Sequence, residues 1–130
     1  MKNLFVYGSL MYDEVWNQIV QGCHEKIKAE IVGYKRLKIK NANYPGLVKG
    51  TGTVQGFVWL NVSQSNIKKL DLFEGEYYKR VEDIATDINN NKIIVNFYLI
   101  QDLYLSILED IEWDENEFQK NELDNFMENM

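Results

Sequence analysis

The sequence predicts the fold class α+β, in which helices accompany a largely antiparallel sheet. Two stretches of alternating apolar and polar residues, 81–88 and 93–100, flank the tripeptide Asn89-Asn90-Asn91. This pattern is typical of a β-hairpin with a tight turn. A helical spacing of apolar residues follows Ser63 and stops at Gly75. Because consecutive strands with short links pair antiparallel, helices and an antiparallel sheet are expected together.

The chain begins with a predicted buried strand, residues 3–7, which leads into the turn Gly8-Ser9-Leu10. Asp13 then opens an amphipathic run that predicts a first helix, with the apolar residues Val15, Trp16, Ile19 and Val20. Backbone N–H groups in such a strand-turn-helix connection converge and bind anions. The turn lacks the glycine spacing of nucleotide-binding loops and of nucleophile elbows. Taken alone, it favours an ordinary connection over an anion site.

Three further strands are predicted in the middle of the chain, at residues 27–31, 34–39 and 54–62. A loop at residues 41–46 holds the only proline. The second of these strands starts a basic strip, and charged residues of this kind favour the solvated outer face of a sheet. The strip consists of Lys35, Arg36, Lys38 and Lys40.

A carboxylate is predicted on the apolar stripe of the helix that Ser63 can cap. Glu74 follows Ile67 and Leu70 at i+7 and i+4, so the three side chains share one face. Gly75 can end the helix without a Cβ penalty. Burial and the negative end of the helix dipole both raise the pKa of a carboxyl group, which suits a general acid/base. The alternative, which spacing alone favours, is a frayed last turn with the carboxylate in solvent.

Composition indicates one domain of 130 residues, with a core at about 1–101 and an acidic tail at about 102–130. The formal net charge of −6 argues against a nucleic-acid partner, whose backbone requires a basic face. Neither a signal peptide nor an apolar run of membrane-spanning length is evident, so no membrane partner is expected. The single Cys23 fits a reducing compartment, and we expect a cytoplasmic protein.

Helical spacing of Leu123, Phe126, Met127 and Met130 predicts an acidic amphipathic helix in the tail. Aromatic stripes usually pack on their own domain, which favours docking on the body of the protein. A lid or a surface for a partner protein is the alternative.

Other catalytic chemistry has little support in the sequence. Adjacent strand residues point to opposite faces, so His24 and Cys23 would not form a dyad, and together they are too few for a zinc site. Asp71 and Glu74 are three residues apart and could pair for metal or glycoside chemistry, but no second acidic pair is evident. Asp71 is expected instead to bond to a neighbouring backbone group or to Arg80.

Four short motifs, in this order and spacing, resemble the gamma-glutamylcyclotransferase-like superfamily and in particular its AIG2-like branch. The motifs are Tyr7-Gly8-Ser9-Leu10, Tyr44-Pro45-Gly46-Leu47-Val48, Val54-x-Gly56-x-Val58-Trp59 and Leu70-Asp71-x-Phe73-Glu74-Gly75-x-x-Tyr78-x-Arg80. The similarity spans about residues 3–100 and does not reach the tail. It implies a small, mixed, mostly antiparallel and partly closed β-barrel flanked by helices, with the active-site cavity beside the first loop.

The resemblance also implies an activity: release of 5-oxoproline and a free amine from a gamma-glutamyl amide. It makes Glu74 the catalytic acid/base and requires no cofactor or metal. The substrate-binding residues that it implies are Tyr7, Gly8, Ser9, Leu10, Tyr44 and Tyr78. For Tyr78, packing in the core is the alternative role. A non-catalytic binding or regulatory module of the same fold stays open, as do the identity of the leaving amine and the oligomeric state.

Overall fold

Six strands and four helices make up the computed structural model, which describes residues 1–130. The strands are β1 (Lys2–Val6), β2 (Lys26–Ile39), β3 (Pro45–Val62), β4 (Tyr78–Asp87), β5 (Lys92–Ile100) and β6 (Leu108–Glu112). The helices are α1 (Asp13–Ile19), α2 (Gln64–Glu74), α3 (Glu115–Glu117) and α4 (Leu123–Glu128). Two 3-10 turns, Ser9–Met11 and Asp102–Ile107, complete the chain, and a π-helical turn, Phe118–Glu122, joins α3 to α4.

The strands form one sheet in the order β3-β1-β5-β4-β2-β6, and pairing of β2 with β3 closes the first five into a barrel. Only the pairing of β1 with β5 is parallel, and every other pairing is antiparallel. The predicted fold class, α+β with a mostly antiparallel barrel flanked by helices, is therefore confirmed. Closure leaves β6 as an extra strand on the far end of β2, paired at Leu37–Glu112 and Ile39–Leu108.

The hairpin of β2 and β3 is longer than the sequence predicts. The two strands predicted around Gly33 are one strand whose register shifts between Val32 and Tyr34. β3 begins at Pro45, nine residues before the predicted start at Val54, so the predicted loop at 41–46 is also too long. The first half of β3 was missed because glycine and proline have low β-propensity, whereas pairing with β2 along its length holds it in the sheet.

Two apolar clusters stabilise the barrel. One fills its interior and includes Phe5, Phe97 and Val58, and the other lies between the barrel and the helices. In the second cluster, the indole rings of Trp16 and Trp59 stack at 4.3 Å. This cluster fixes α1 and α2 against the sheet, because both helices bury their apolar faces in it.

The tail docks on the body of the protein. Trp113 and Phe118 are buried in the cluster between barrel and helices, and Leu123, Phe126 and Met127 are half-buried against it. Residues 115–128, from α3 through the π-helical turn to α4, are called the tail helix below. None of the helices in the structure has the length and apolar character needed to cross a membrane.

The basic strip does not all face solvent, and for Arg36 the prediction is wrong. Lys35 and Lys40 are exposed, whereas Lys38 and Arg36 are half-buried. The guanidinium of Arg36 donates a hydrogen bond of 2.9 Å to the backbone oxygen of Tyr7 and lies over the ring of Trp113. Alternation along β2 places Lys35 and Arg36 on opposite faces, and the inner face at this point meets the first turn and the tail.

Candidate active site

A cavity of about 810 Å³ lies at one end of the barrel. Most of its lining comes from the turn after β1, the loop before β3, the last turn of α2, the strands β4 and β5, and the tail. All seven residues predicted for the site line this one cavity. They are Tyr7, Gly8, Ser9, Leu10, Tyr44, Glu74 and Tyr78.

Glu74 occupies the last position of α2, as its spacing and flanking residues predict. The helix begins after Ser63, whose Oγ accepts a hydrogen bond of 3.2 Å from the N–H of Asn66. It ends at Gly75, where φ is +82°, a backbone conformation that side chains rarely adopt. Ile67 and Leu70 on the same stripe are buried, and Glu74 is half-buried beside the cavity. The carboxylate therefore faces the cavity instead of extending into bulk solvent.

Burial raises the pKa of Glu74 to about 8, and the negative charge of Asp71 adds to the effect. No hydrogen bond or ion pair within the protein involves the Glu74 carboxylate; the only salt bridges are Lys26–Asp13 and Arg80–Asp71. A carboxyl group of this kind can exchange a proton with a ligand near neutral pH.

Asp71, one turn earlier on α2, has a different environment. Its Oδ1 accepts a hydrogen bond of 3.0 Å from Arg80 Nε and one of 2.7 Å from the hydroxyl of Tyr98. The expected bond to Arg80 is thus present. Arg80 also donates to the side-chain oxygen of Asn96 on β5, which ties α2 to β4 and β5. These bonds hold Asp71 between α2, β4 and β5, and Asp71 does not line the cavity.

Four tyrosines surround the Glu74 carboxylate: Tyr7, Tyr44, Tyr78 and Tyr98. Burial raises the pKa of each phenol, and the charge of Glu74 contributes to all four shifts. Three of the hydroxyls are fixed. Tyr7 donates to the backbone oxygen of Tyr98 at 2.6 Å, Tyr78 to that of Pro45 at 2.7 Å, and Tyr98 to Asp71. Tyr44 makes no such hydrogen bond, so its hydroxyl is free for a ligand.

The turn after β1 presents unused donors to the cavity. Two backbone hydrogen bonds close the turn. The N–H of Met11 donates to the Gly8 oxygen at 3.0 Å, and the N–H of Tyr12 donates to the Ser9 oxygen at 3.2 Å. No turn, loop or cap hydrogen bond uses the N–H of Gly8, Ser9 or Leu10. A 3-10 turn leaves its first N–H groups without internal partners, so this arrangement can hold an anion.

Close approach of β3 explains the glycine in this turn. A Cβ at position 8 would lie 2.8 Å from both Cγ and Cδ of Pro45. The Pro45 oxygen in turn accepts the Tyr78 hydroxyl, so the turn, β3 and β4 are packed as one unit. Any side chain at position 8 would push the turn away from the cavity wall.

The tail helix forms the outer wall of the cavity, which the sequence did not predict. Phe126 contacts Tyr44 and Phe73 in edge-to-face geometry, with 6.3 Å between ring centroids in each pair. Residues of the tail helix and of the two positions after it line the cavity: Glu122, Asn125, Phe126, Asn129 and Met130. The tail helix therefore both packs on the body of the protein and lines the cavity. Tyr98 and Phe73 were also missed as site residues, although alternation along β5 and proximity to Glu74 offered a signal for each.

Charge differs between the two halves of the cavity. We call the part of the cavity around Glu74 and the tyrosine rings its inner half, and the part lined by Lys38, Glu109 and the tail residues, Glu122 among them, its outer half. Burial raises the pKa of Glu122 as well, with Glu117 adding to the shift and Lys38 opposing it. No group of three or more His, Cys, Asp or Glu side chains could hold a metal ion.

A family model described as "Gamma-glutamyl cyclotransferase, AIG2-like" matches residues 4–122, a span that includes every residue of the inner half of the cavity. The chain belongs to this family. AIG2-like protein A of Arabidopsis thaliana is 33% identical over 101 residues, which cover 76% of this chain and 61% of that protein. AIG2-like protein C of the same plant is 32% identical over 133 residues, covering 96% and 73% respectively. This chain thus spans about three fifths of the first of these relatives.

Solved structures of other proteins show the same fold. A solution structure from Arabidopsis thaliana, 28% identical, superimposes with a TM-score of 0.74 over 98% of this chain and 87% of its own. A structure named gamma-glutamyl cyclotransferase, 20% identical, has a TM-score of 0.67 over 77% of this chain and 66% of its own. Because the second structure is only 20% identical, its similarity to this chain is a similarity of fold alone.

Proposed function

We propose that this protein is a gamma-glutamylcyclotransferase-type enzyme that releases 5-oxoproline and a free amine from a small gamma-glutamyl amide. The observation that carries the proposal is the open carboxylate of Glu74, with its raised pKa, in one cavity with the unused N–H groups of the turn after β1. Membership of the AIG2-like family supports the same reaction class.

The substrate contains its own nucleophile. The α-amino nitrogen attacks the γ-carbonyl carbon, a five-membered ring forms, and the C–N bond to the leaving amine breaks. Two protons leave the α-nitrogen, one before the attack and one as the ring forms. The leaving nitrogen gains two protons and departs as an ammonium ion, so the reaction needs no oxidant, cofactor or water. The protein must hold the glutamyl unit bent, because proximity of the reacting atoms supplies much of the acceleration.

Glu74 carries the proton in this proposal. As a carboxylate it accepts a proton from the α-ammonium group, and as a carboxylic acid it returns one to the leaving nitrogen. An ordinary glutamate is too weak a base for the first step. A pKa of about 8 brings its basicity closer to that of an amine, so the transfer is less uphill.

The turn and the tyrosines bind the glutamyl unit. The N–H groups of Gly8, Ser9 and Leu10 donate to its α-carboxylate or to the oxyanion that develops on the γ-carbonyl. Tyr78 forms a wall with a fixed hydroxyl, and Tyr44 offers a free hydroxyl at the side of the tail. The leaving amine lies toward the outer half of the cavity, where Lys38, Glu109 and Glu122 would meet it.

The test is a screen of gamma-glutamyl compounds for 5-oxoproline release, measured by mass spectrometry. The panel contains gamma-glutamyl amino acids, ε-(gamma-glutamyl)lysine, gamma-glutamyl alkylamines and glutathione. We expect 5-oxoproline from at least one class with the parent protein and none above background with Glu74→Gln. If the compounds bind but the parent protein releases nothing, the non-catalytic module is the correct alternative.

A further inference from the structure

A cation without a carboxylate partner lies directly behind the turn after β1. Arg36 Nη1 donates to the Tyr7 oxygen at 2.9 Å and to the Gln55 oxygen at 3.4 Å. Its guanidinium carbon is 5.2 Å from the centre of the Trp113 ring. Neither salt bridge of the protein includes this residue, and its Nε is buried without a hydrogen-bond partner.

Such an arrangement does not stabilise the fold efficiently. Burying a guanidinium without an ion pair is unfavourable, and burial lowers the pKa of Arg36 even though Glu115 and Glu112 oppose the shift. The stacking on Trp113 offsets part of the loss. A neutral side chain of similar length would avoid the cost of burying the charge.

The geometry of one peptide group suggests a role for this charge. The oxygen that Arg36 contacts belongs to the peptide between Tyr7 and Gly8, and the N–H of the same peptide is one of the unused donors beside the cavity. The peptide is trans, so its C=O and N–H point in opposite directions. A positive charge on the carbonyl side therefore fixes the N–H on the other side and polarises it as a donor.

We propose that Arg36 is a positioning residue that makes the Tyr7–Gly8 peptide a strong donor to the anionic group of the substrate. The inference rests on the proposed function for the place of the anion. It predicts a selective effect: loss of the charge should weaken binding of a carboxylate and leave binding of an uncharged ligand of the same shape unchanged. A residue that only supports the fold would weaken both.

The experiment compares two ligands, 5-oxoproline and its uncharged amide, by titration in 1H–15N spectra that follow the Gly8 amide. The variants are Arg36→Met and Arg36→Lys, and Lys35→Met is the control because it removes a neighbouring, exposed charge on the opposite face of β2. We expect Arg36→Met to weaken 5-oxoproline binding about 3-fold, a fraction of one charge-assisted hydrogen bond, because the N–H remains and only its polarisation is lost. Binding of the amide should be unaffected. Arg36→Lys should lose less, and Lys35→Met almost nothing.

Equal losses for both ligands, or no loss for either, would overturn the inference. If Arg36→Met does not fold, the loss of 5-oxoproline affinity is compared with the loss of amide affinity in Arg36→Lys instead. That variant keeps the charge but changes the contact with the Tyr7 oxygen. A parent protein whose Gly8 amide does not respond to 5-oxoproline would also overturn it. The outcome is separate from turnover: a selective loss in a protein that releases no 5-oxoproline would support Arg36 and reject the proposed reaction.

Discussion

The inner and outer halves of the cavity are built in different ways. Around Glu74, the hydroxyls of Tyr7, Tyr78 and Tyr98 are fixed by hydrogen bonds of 2.6 to 2.7 Å to the barrel or to α2. Along the tail helix, by contrast, Phe126 is held by edge-to-face ring contacts with Tyr44 and Phe73. Hydrogen bonds fix direction more strictly than ring contacts do. The comparison indicates a rigid half for chemistry and a more adaptable half for recognition of the leaving amine.

Removal of the proton carrier should have the largest effect of any single change. We expect Glu74→Gln to keep the fold and lower kcat by about two to four orders of magnitude, the usual contribution of one general acid/base. The measurement is the rate of 5-oxoproline release with the best substrate from the panel. Glu76→Gln is the matched control, because Glu76 is exposed and lies past Gly75. Near-parent activity in the Glu74 variant would show that the inner half does not act through this carboxylate.

The pH dependence of kcat/KM should report the same half of the cavity. Protonated Glu74 cannot accept the ammonium proton, so activity falls as pH decreases through its pKa of about 8, by about tenfold per pH unit. A fluorescence probe of folding over the same range separates this limb from acid unfolding. An acid limb near 4.5, the ordinary value for glutamate, would contradict the burial of this group in the free enzyme.

Phe126→Ala should disturb the outer half and spare the inner one. Loss of the ring removes its contacts with Tyr44 and Phe73 and part of the outer cavity wall. We therefore expect KM to rise about 10-fold with kcat nearly unchanged, at the lower end of the range for a changed hydrophobic pocket. Leu72→Ala is the control, because Leu72 lies on the solvent side of α2. A large fall in kcat with unchanged KM would mean that the two halves are not separable. Truncation after residue 112 is less informative, since it also removes Trp113 and Phe118 from the core.

Ser9→Ala should have the smallest effect. The backbone donors of the turn survive the substitution, so we expect substrate affinity to fall by only about two- to fivefold, less than the value of a full hydrogen bond. Steady-state KM with the same substrate measures the change. A loss of 100-fold or more would assign the binding of the anion to the Ser9 hydroxyl instead of to the backbone.

Local signals explain why the inner half could be predicted. The cap at Ser63, the spacing of Ile67, Leu70 and Glu74, and the stop at Gly75 are all encoded within 13 residues, and the structure reproduces them. The turn after β1 is equally local, and its resemblance to the family motif added the expected roles. Glycine at position 8 has its reason in the distant Pro45, which no local pattern reveals.

The parts that escaped prediction depend on contacts between distant segments. The first half of β3, from Pro45 to Thr53, is a strand because β2 pairs with it, and β6 is a strand because it adds to the other end of β2. Arg36 is drawn inward because the turn and Trp113 meet on its side of β2. Phe126 reaches the cavity only after the tail has docked. In each case contacts between distant segments, and not local propensity, decide the position of the residue.

Direct titration of Glu74 tests the central claim of a raised pKa beside an open cavity. The side-chain carboxyl carbons are labelled with 13C at glutamate, and the Glu74 signal is assigned by its absence in Glu74→Gln. Followed by NMR in the ligand-free protein from pH 4 to pH 10, this signal should titrate with a midpoint of about 8, because burial and Asp71 both disfavour the carboxylate. A midpoint near 4.5 would contradict the account, since a fully solvated, ordinary glutamate could not carry the proton as proposed.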